Sequence, residues 1–243
     1  MDSPTVQSEI PQQFFFSTIP FINHHDTQQR RNSSHSPEKP MSAQQTLVTL
    51  DLEGVLVPEI WIAFAEKTGI EKLKLTTRDI PDYDELMQGR LDILNENNLT
   101  LSAIQDVIGT LSPLPGAKAF LDELRTLTQV IILSDTFEDF AKPLMQQLDW
   151  PTIFCHRLEI ADDRITHYRL RQPDQKKKSV AAFKSLNYKV IAAGDSFNDT
   201  TMLGEAHVGF LFHAPDNIKT QFPQFSAFDE YDDLLGAIRA ELN

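Results

Sequence analysis

The chain has 243 residues, 41% of them hydrophobic, and a formal net charge of −13 from 35 acids against 22 bases. That is enough apolar content to bury a core, and the acidic balance argues against nucleic acid and anionic membrane surfaces as partners. No apolar run reaches the roughly 18 residues needed to cross a bilayer, and the single cysteine, Cys155, has no internal disulfide partner, so a soluble cytoplasmic protein is expected.

Residues 1–45 are rich in Gln, Ser, Pro and His, show no helical or strand period, and carry only −1 of the charge. Such a segment gains too little burial to offset its ordering entropy, so disorder is expected there. Phe14-Phe15-Phe16 is broken by Ser17 and Pro20 and preceded by Asp2 and Glu9, where a signal peptide would be basic. A docking motif is the other reading of that cluster, and Met41 stands as an alternative start.

Order is expected to begin with an apolar strand over 46–50 that ends abruptly in Asp51. Helices are predicted over 59–68, 82–98 and 100–110, punctuated by Pro81 and Asn97-Asn98. Pro113, Pro115 and Gly116 then break the chain before a helix over 117–127. A second buried strand over 130–133 ends in Ser134-Asp135 and is followed by a helix over 137–148. The run Lys176-Lys177-Lys178 precedes a helix expected to begin near Ser179. A third strand over 189–193 ends in Gly194-Asp195, and 208–212 reads as a fourth.

Strands alternating with helices predict an α/β fold with a doubly wound parallel sheet, a Rossmann-like core. The stretch between the first two strands is too long for one crossover and reads as a helical cap. The expected organisation is therefore an N-terminal extension (1–45), a catalytic core (46–58 and 113–243) and an inserted cap (59–112).

Ligands of open α/β sheets bind outside the carboxyl ends of the strands, and three of these strands end in polar residues. The fold should bring Asp51, Glu53, Ser134, Asp195, Asn198 and Asp199 to one edge. Acids crowded there repel one another unless a cation sits among them, and hard oxygen donors beside a phosphate select magnesium. Each residue also has a blander reading. Asp51-Leu52-Glu53-Gly54 can be an ordinary acidic turn, Ser134 and either Asn198 or Asp199 can be helix caps, and a lysine run is usually a solvated face. One lysine reaching the pocket would instead neutralise a phosphoryl group.

In this order, Asp51-x-Glu53-Gly54, Ser134, the lysine run and Gly194-Asp195-x-x-Asn198-Asp199 resemble the haloacid dehalogenase-like superfamily. The stretch 51–59 together with 191–196 is similar to its bifunctional phosphoserine phosphatase/homoserine phosphotransferase branch, over about residues 47–235. The resemblance implies Asp51 as nucleophile and magnesium ligand, and Glu53 as general acid/base with its backbone carbonyl also on the metal. Asp195 would complete the Mg2+ ligands. Ser134 and Lys176 would hold the phosphoryl group, with Lys177 as the alternative lysine, Asn198 would hydrogen-bond near it, and Asp135 would be a further substrate-binding residue. Glu59 would meet the substrate ammonium and Arg90 its carboxylate, although Arg90 alone reads as a surface residue of a cap helix. Glu53 departs from the Asp usual in the superfamily, a difference the named branch shares.

The implied reaction is attack by Asp51 on phosphoserine, followed by transfer to water or to homoserine. A plain phosphatase with water as sole acceptor is the alternative. A phospho-accepting receiver domain is disfavoured by the chain length and by the predicted cap. Expected partners are phosphoserine, homoserine and a second copy of the chain as a homodimer, whereas oligomeric state has no signature in the sequence.

Overall fold

The computed structural model describes residues 44–76, 79–80 and 82–242. The readings of the N-terminal extension, of Phe14-Phe15-Phe16 and of Met41 lie outside them. Seven strands form one sheet in the order β4-β3-β2-β1-β5-β6-β7. They are β1 (Gln45–Leu50), β2 (Gln129–Phe137), β3 (Ile153–Ala161), β4 (Arg164–Arg169), β5 (Tyr188–Gly194), β6 (Val208–Phe212) and β7 (Ser226–Phe228). All neighbours pair in parallel except β3 and β4.

Period-2 alternation explains why both faces of this sheet are covered. Val48 and Leu50 of β1, Ile191 and Ala193 of β5, and Phe210 and Phe212 of β6 point into one apolar cluster. That cluster is completed by α4 (Ala117–Leu127), α5 (Glu138–Gln147) and α9 (Tyr231–Glu241). Leu47, Val190, Ala192 and Leu211 point the other way, toward α6 (Gln175–Ser185), α7 (Thr200–Glu205) and α8 (Asp216–Gln221).

Between β1 and α4 the chain forms α1 (Ile60–Thr68), a 3-10 turn (Glu71–Lys74), α2 (Tyr83–Glu96) and α3 (Leu101–Gly109). Their apolar residues, among them Phe64, Met87, Leu91 and Ile104, share the first cluster with the sheet. Asp82 starts α2 by accepting from the backbone N–H groups of Asp84 and Glu85 at 2.9 and 3.0 Å. Thr100 starts α3 in the same way, accepting from the N–H of Ala103.

Several features differ from expectation, among them β7, α8 and α9, which were not foreseen. The β3–β4 hairpin was not foreseen, because its half-exposed strands lack a continuous apolar run. Its turn residues Asp162 and Asp163 both have positive φ, 49° and 59°, as a tight hairpin turn requires. Helix α6 begins at Gln175, so Lys176 lies in its first turn instead of before it. Strand β2 continues to Phe137, so α5 starts at Glu138, and Ser134 lies within a strand and not at a helix cap.

Candidate active site

Asp51 is the first residue beyond β1, its backbone N–H donating to the Ala193 carbonyl of β5 at 3.0 Å. The residue is only 5% exposed. Its Oδ1 accepts from the backbone N–H of Leu52 at 2.8 Å and pairs with Lys176 Nζ at 2.8 Å. Lys176, 4% exposed, also reaches Asp199 Oδ1 at 2.7 Å and Asp135 at 3.7 Å. Burial alone would discharge this ammonium, but Asp199, Asp51 and Asp135 hold it charged, with its pKa well above the usual lysine range. Lys177, the alternative, is exposed.

Oxygens of Asp51, Asp195 and Asp199 lie within 4.8 Å of one another. Burial raises the Asp51 pKa well above normal, and repulsion from Asp199 and Asp195 adds to this against the pull of Lys176. Burial with Asp199 and Glu59 pushes Asp195 up to about 7. A divalent cation would relieve that repulsion, so the donor set fits the magnesium expected from the sequence.

Asp199 was expected at this edge, with a helix cap as its blander reading, and the cap is real. Its Oδ2 accepts from the N–H of Asp195, from the N–H of Ser196 and from Ser196 Oγ, at 3.0 to 3.1 Å. The same carboxylate also anchors Lys176, so it organises the pocket as well. Two glycines make this crowding possible. A Cβ on Gly54 would lie 2.4 Å from Asp195 Oδ2, and one on Gly194 would lie 2.4 Å from Asp199 Cγ.

Glu53 is half-buried, and its Oε2 accepts from the N–H of Ile60 at 3.0 Å. Burial, reinforced by Glu59, pushes its pKa up to about 8. Ser134 is buried and its Oγ accepts from the N–H of Thr136 at 3.2 Å. Asp135 accepts from Gln175 Nε2 at 3.2 Å and lies 3.6 Å from His156 Nε2. Burial would raise its pKa, but Lys176, His156 and Gln175 overcome that and hold it well below the usual range.

Arg90 is buried on α2 and held from three sides. Nη2 donates to the Leu75 carbonyl at 2.7 Å, Nη1 faces Met87 Sδ at 3.7 Å, and the Trp61 ring lies 4.4 Å from the guanidinium carbon. Its Nε is buried with no hydrogen-bond partner among the described residues. Burial draws its pKa down to about 10.

The nine residues given roles by the resemblance, Asp51, Glu53, Glu59, Arg90, Ser134, Asp135, Lys176, Asp195 and Asn198, line one cavity of about 540 Å³, whereas Asp199 lies fully buried behind it. Glu59 and Asn198 are exposed at it. Trp61, Tyr83, Thr136 and Phe137 line it too and were not foreseen. An aromatic on a predicted helix carries no mark that separates a pocket wall from a core residue. Cys155 lies outside the cavity, partly buried, its thiol pushed up to about 12 by burial.

The haloacid dehalogenase-like hydrolase model matches residues 46–207. The chain belongs to this family. A protein named phosphoserine phosphatase ThrH from Pseudomonas aeruginosa is 66% identical over 189 residues, covering 77% of this chain and 92% of that protein. A phosphoserine phosphatase from Pseudomonas syringae pv. tomato is 65% identical over 190 residues, covering 77% of this chain and 80% of the relative. A solved phosphoserine phosphatase with bound substrate shares the fold, with a TM-score of 0.64 at 18% identity over 83% of this chain and all of that one. For a family hydrolase, the strand-end acids are the natural place to look for chemistry, and here they surround one buried lysine.

Proposed function

We propose that this hydrolase is a phosphoserine phosphatase working through an aspartyl-phosphate on Asp51, with homoserine as a second acceptor besides water. The observation that carries the reading is a carboxylate buried at a strand end, 2.8 Å from a lysine ammonium and clustered with the carboxylates of Asp195 and Asp199. The substrate comes from the names of the two relatives at 65–66% identity.

In the first step an Asp51 oxygen forms a bond to phosphorus as the phosphorus–oxygen bond to serine breaks. Glu53, whose raised pKa keeps a proton on it near neutrality, gives that proton to the departing serine oxygen. In the second step water or the homoserine hydroxyl attacks phosphorus, Glu53 takes its proton, and the Asp51 carboxylate is freed. Lys176 and Ser134 hold the phosphoryl oxygens, and Asn198 stands at the cavity edge near them. Magnesium, held by Asp51, Asp195 and the Glu53 carbonyl, would neutralise phosphoryl charge. Residues 59–112 act as the cap over this site, with Glu59 meeting the substrate ammonium and Arg90 its carboxylate.

One assay tests the whole reading. Protein, magnesium, phosphoserine and homoserine are incubated, and phosphohomoserine is separated from free phosphate. Both products are expected, phosphate alone would leave the plain phosphatase, and neither product would overturn the reading. Arg90→Ala is expected to lower kcat/KM for phosphoserine by roughly 10- to 150-fold relative to p-nitrophenyl phosphate, which has no carboxylate. Equal losses on both would mean that Arg90 serves the helix, which its bond to Leu75 already supports.

A further inference from the structure

Tyr83 is the first residue of α2, seven positions before Arg90, so two helical turns place both on one face. Its ring is fixed edge-on against Tyr168, with centroids 5.9 Å apart at 81°. The two tyrosines then differ. Tyr168 hydrogen-bonds Asp84 through its hydroxyl. The Tyr83 hydroxyl makes no hydrogen bond to any described residue, and the side chain lines the cavity with Arg90 and Glu53. Burial, together with the nearby Asp135, raises its pKa, so it stays a protonated donor throughout the neutral range.

Arg90 adds the second observation. Its guanidinium is locked by Leu75, Met87 and Trp61, and Nε is the nitrogen left buried and unpartnered. A carboxylate brought to the Arg90 guanidinium has a second oxygen, and leaving that oxygen without a donor in a closed site is costly. The Tyr83 hydroxyl, on the same helix face and without a partner among the described residues, can supply the bond.

We propose that Tyr83 is a specificity residue whose hydroxyl donates to the substrate carboxylate alongside Arg90. This rests on the amino-acid phosphate reading above. The test compares phosphoserine with phosphoethanolamine, which keeps the phosphate and the ammonium but lacks the carboxylate. Tyr83→Phe removes only the hydroxyl and keeps the ring against Tyr168. The ratio of kcat/KM values, phosphoserine over phosphoethanolamine, is expected to fall by about 5- to 20-fold in the variant. Partial misfolding would lower both efficiencies together and leave that ratio untouched. An unchanged ratio overturns the role of Tyr83 while leaving the phosphatase reading intact. A wild-type enzyme with no preference for phosphoserine overturns carboxylate recognition itself, and Tyr83 with it.

Discussion

At the residue scale, Asp51 illustrates how one side chain depends on four neighbours. Lys176 and the Leu52 N–H favour its carboxylate form, while Asp195 and Asp199 oppose it. Asp51→Asn keeps the shape and can still accept from Leu52, but an amide is a very poor nucleophile. Phosphate release is expected to fall by about a thousand-fold or more, with the circular dichroism spectrum unchanged. Substantial turnover in the folded variant would exclude an aspartyl-phosphate. Gly54 is constrained just as tightly, by a φ of 76° and by the Asp195 carboxylate, so no side chain is tolerated there without moving a candidate metal ligand.

At the element scale, α2 carries both Tyr83 and Arg90, and Asp82 fixes where it starts. Asp82→Ala leaves two backbone N–H groups without their cap and is expected to cost about 1 kcal/mol, a drop of roughly 2–4 °C in melting temperature. Because the first turn bears Tyr83, KM for phosphoserine should rise as well, and Asp82→Ser should restore most of both. Calorimetry and steady-state kinetics on the pair check this. A melting temperature identical to wild type would mean the cap contributes nothing. Helix α6 plays the matching part on the other side, its first turn delivering Lys176 to Asp51 while Val180 and Phe183 pack into the second cluster.

At the scale of the whole molecule, three acids share one small region of a chain that is already strongly acidic. Magnesium that binds the folded state should therefore stabilise it. At about a hundred times its Kd, the gain is roughly 2.7 kcal/mol, or on the order of 5–10 °C in melting temperature. EDTA is expected to abolish activity and remove that increment, and magnesium to restore both. Full activity in chelated buffer would refute the metal requirement. Deleting residues 1–40 should leave activity and melting temperature nearly unchanged, since the family match begins at residue 46. A fall of many degrees would show that the segment packs. Among the described residues, no helix is long and apolar enough to cross a membrane.

What the sequence determined by itself is the set of strands with continuous apolar runs and the polar residues at their ends. β1, β2, β5 and β6 are buried on both faces, so hydrophobicity marks them directly, and topology then places Asp51, Ser134 and Asp195 at one edge. The β3–β4 hairpin, the short β7 and helices α8 and α9 were not legible, because half-exposed or brief elements carry little periodic signal. Only tertiary structure put Lys176 in the cavity and Lys177 in solvent, since one residue along a helix rotates the side chain by about 100°. It alone showed that Asp199 serves as cap and as lysine anchor at once, and that Arg90 is already bound to Leu75. It alone placed Tyr83 in the cavity wall with no hydrogen bond from its hydroxyl to any described residue. These outcomes depend on which groups meet across 23 to 84 positions of chain, as Lys176 meets Asp199 and Tyr168 meets Asp84, and a linear pattern does not encode such distances.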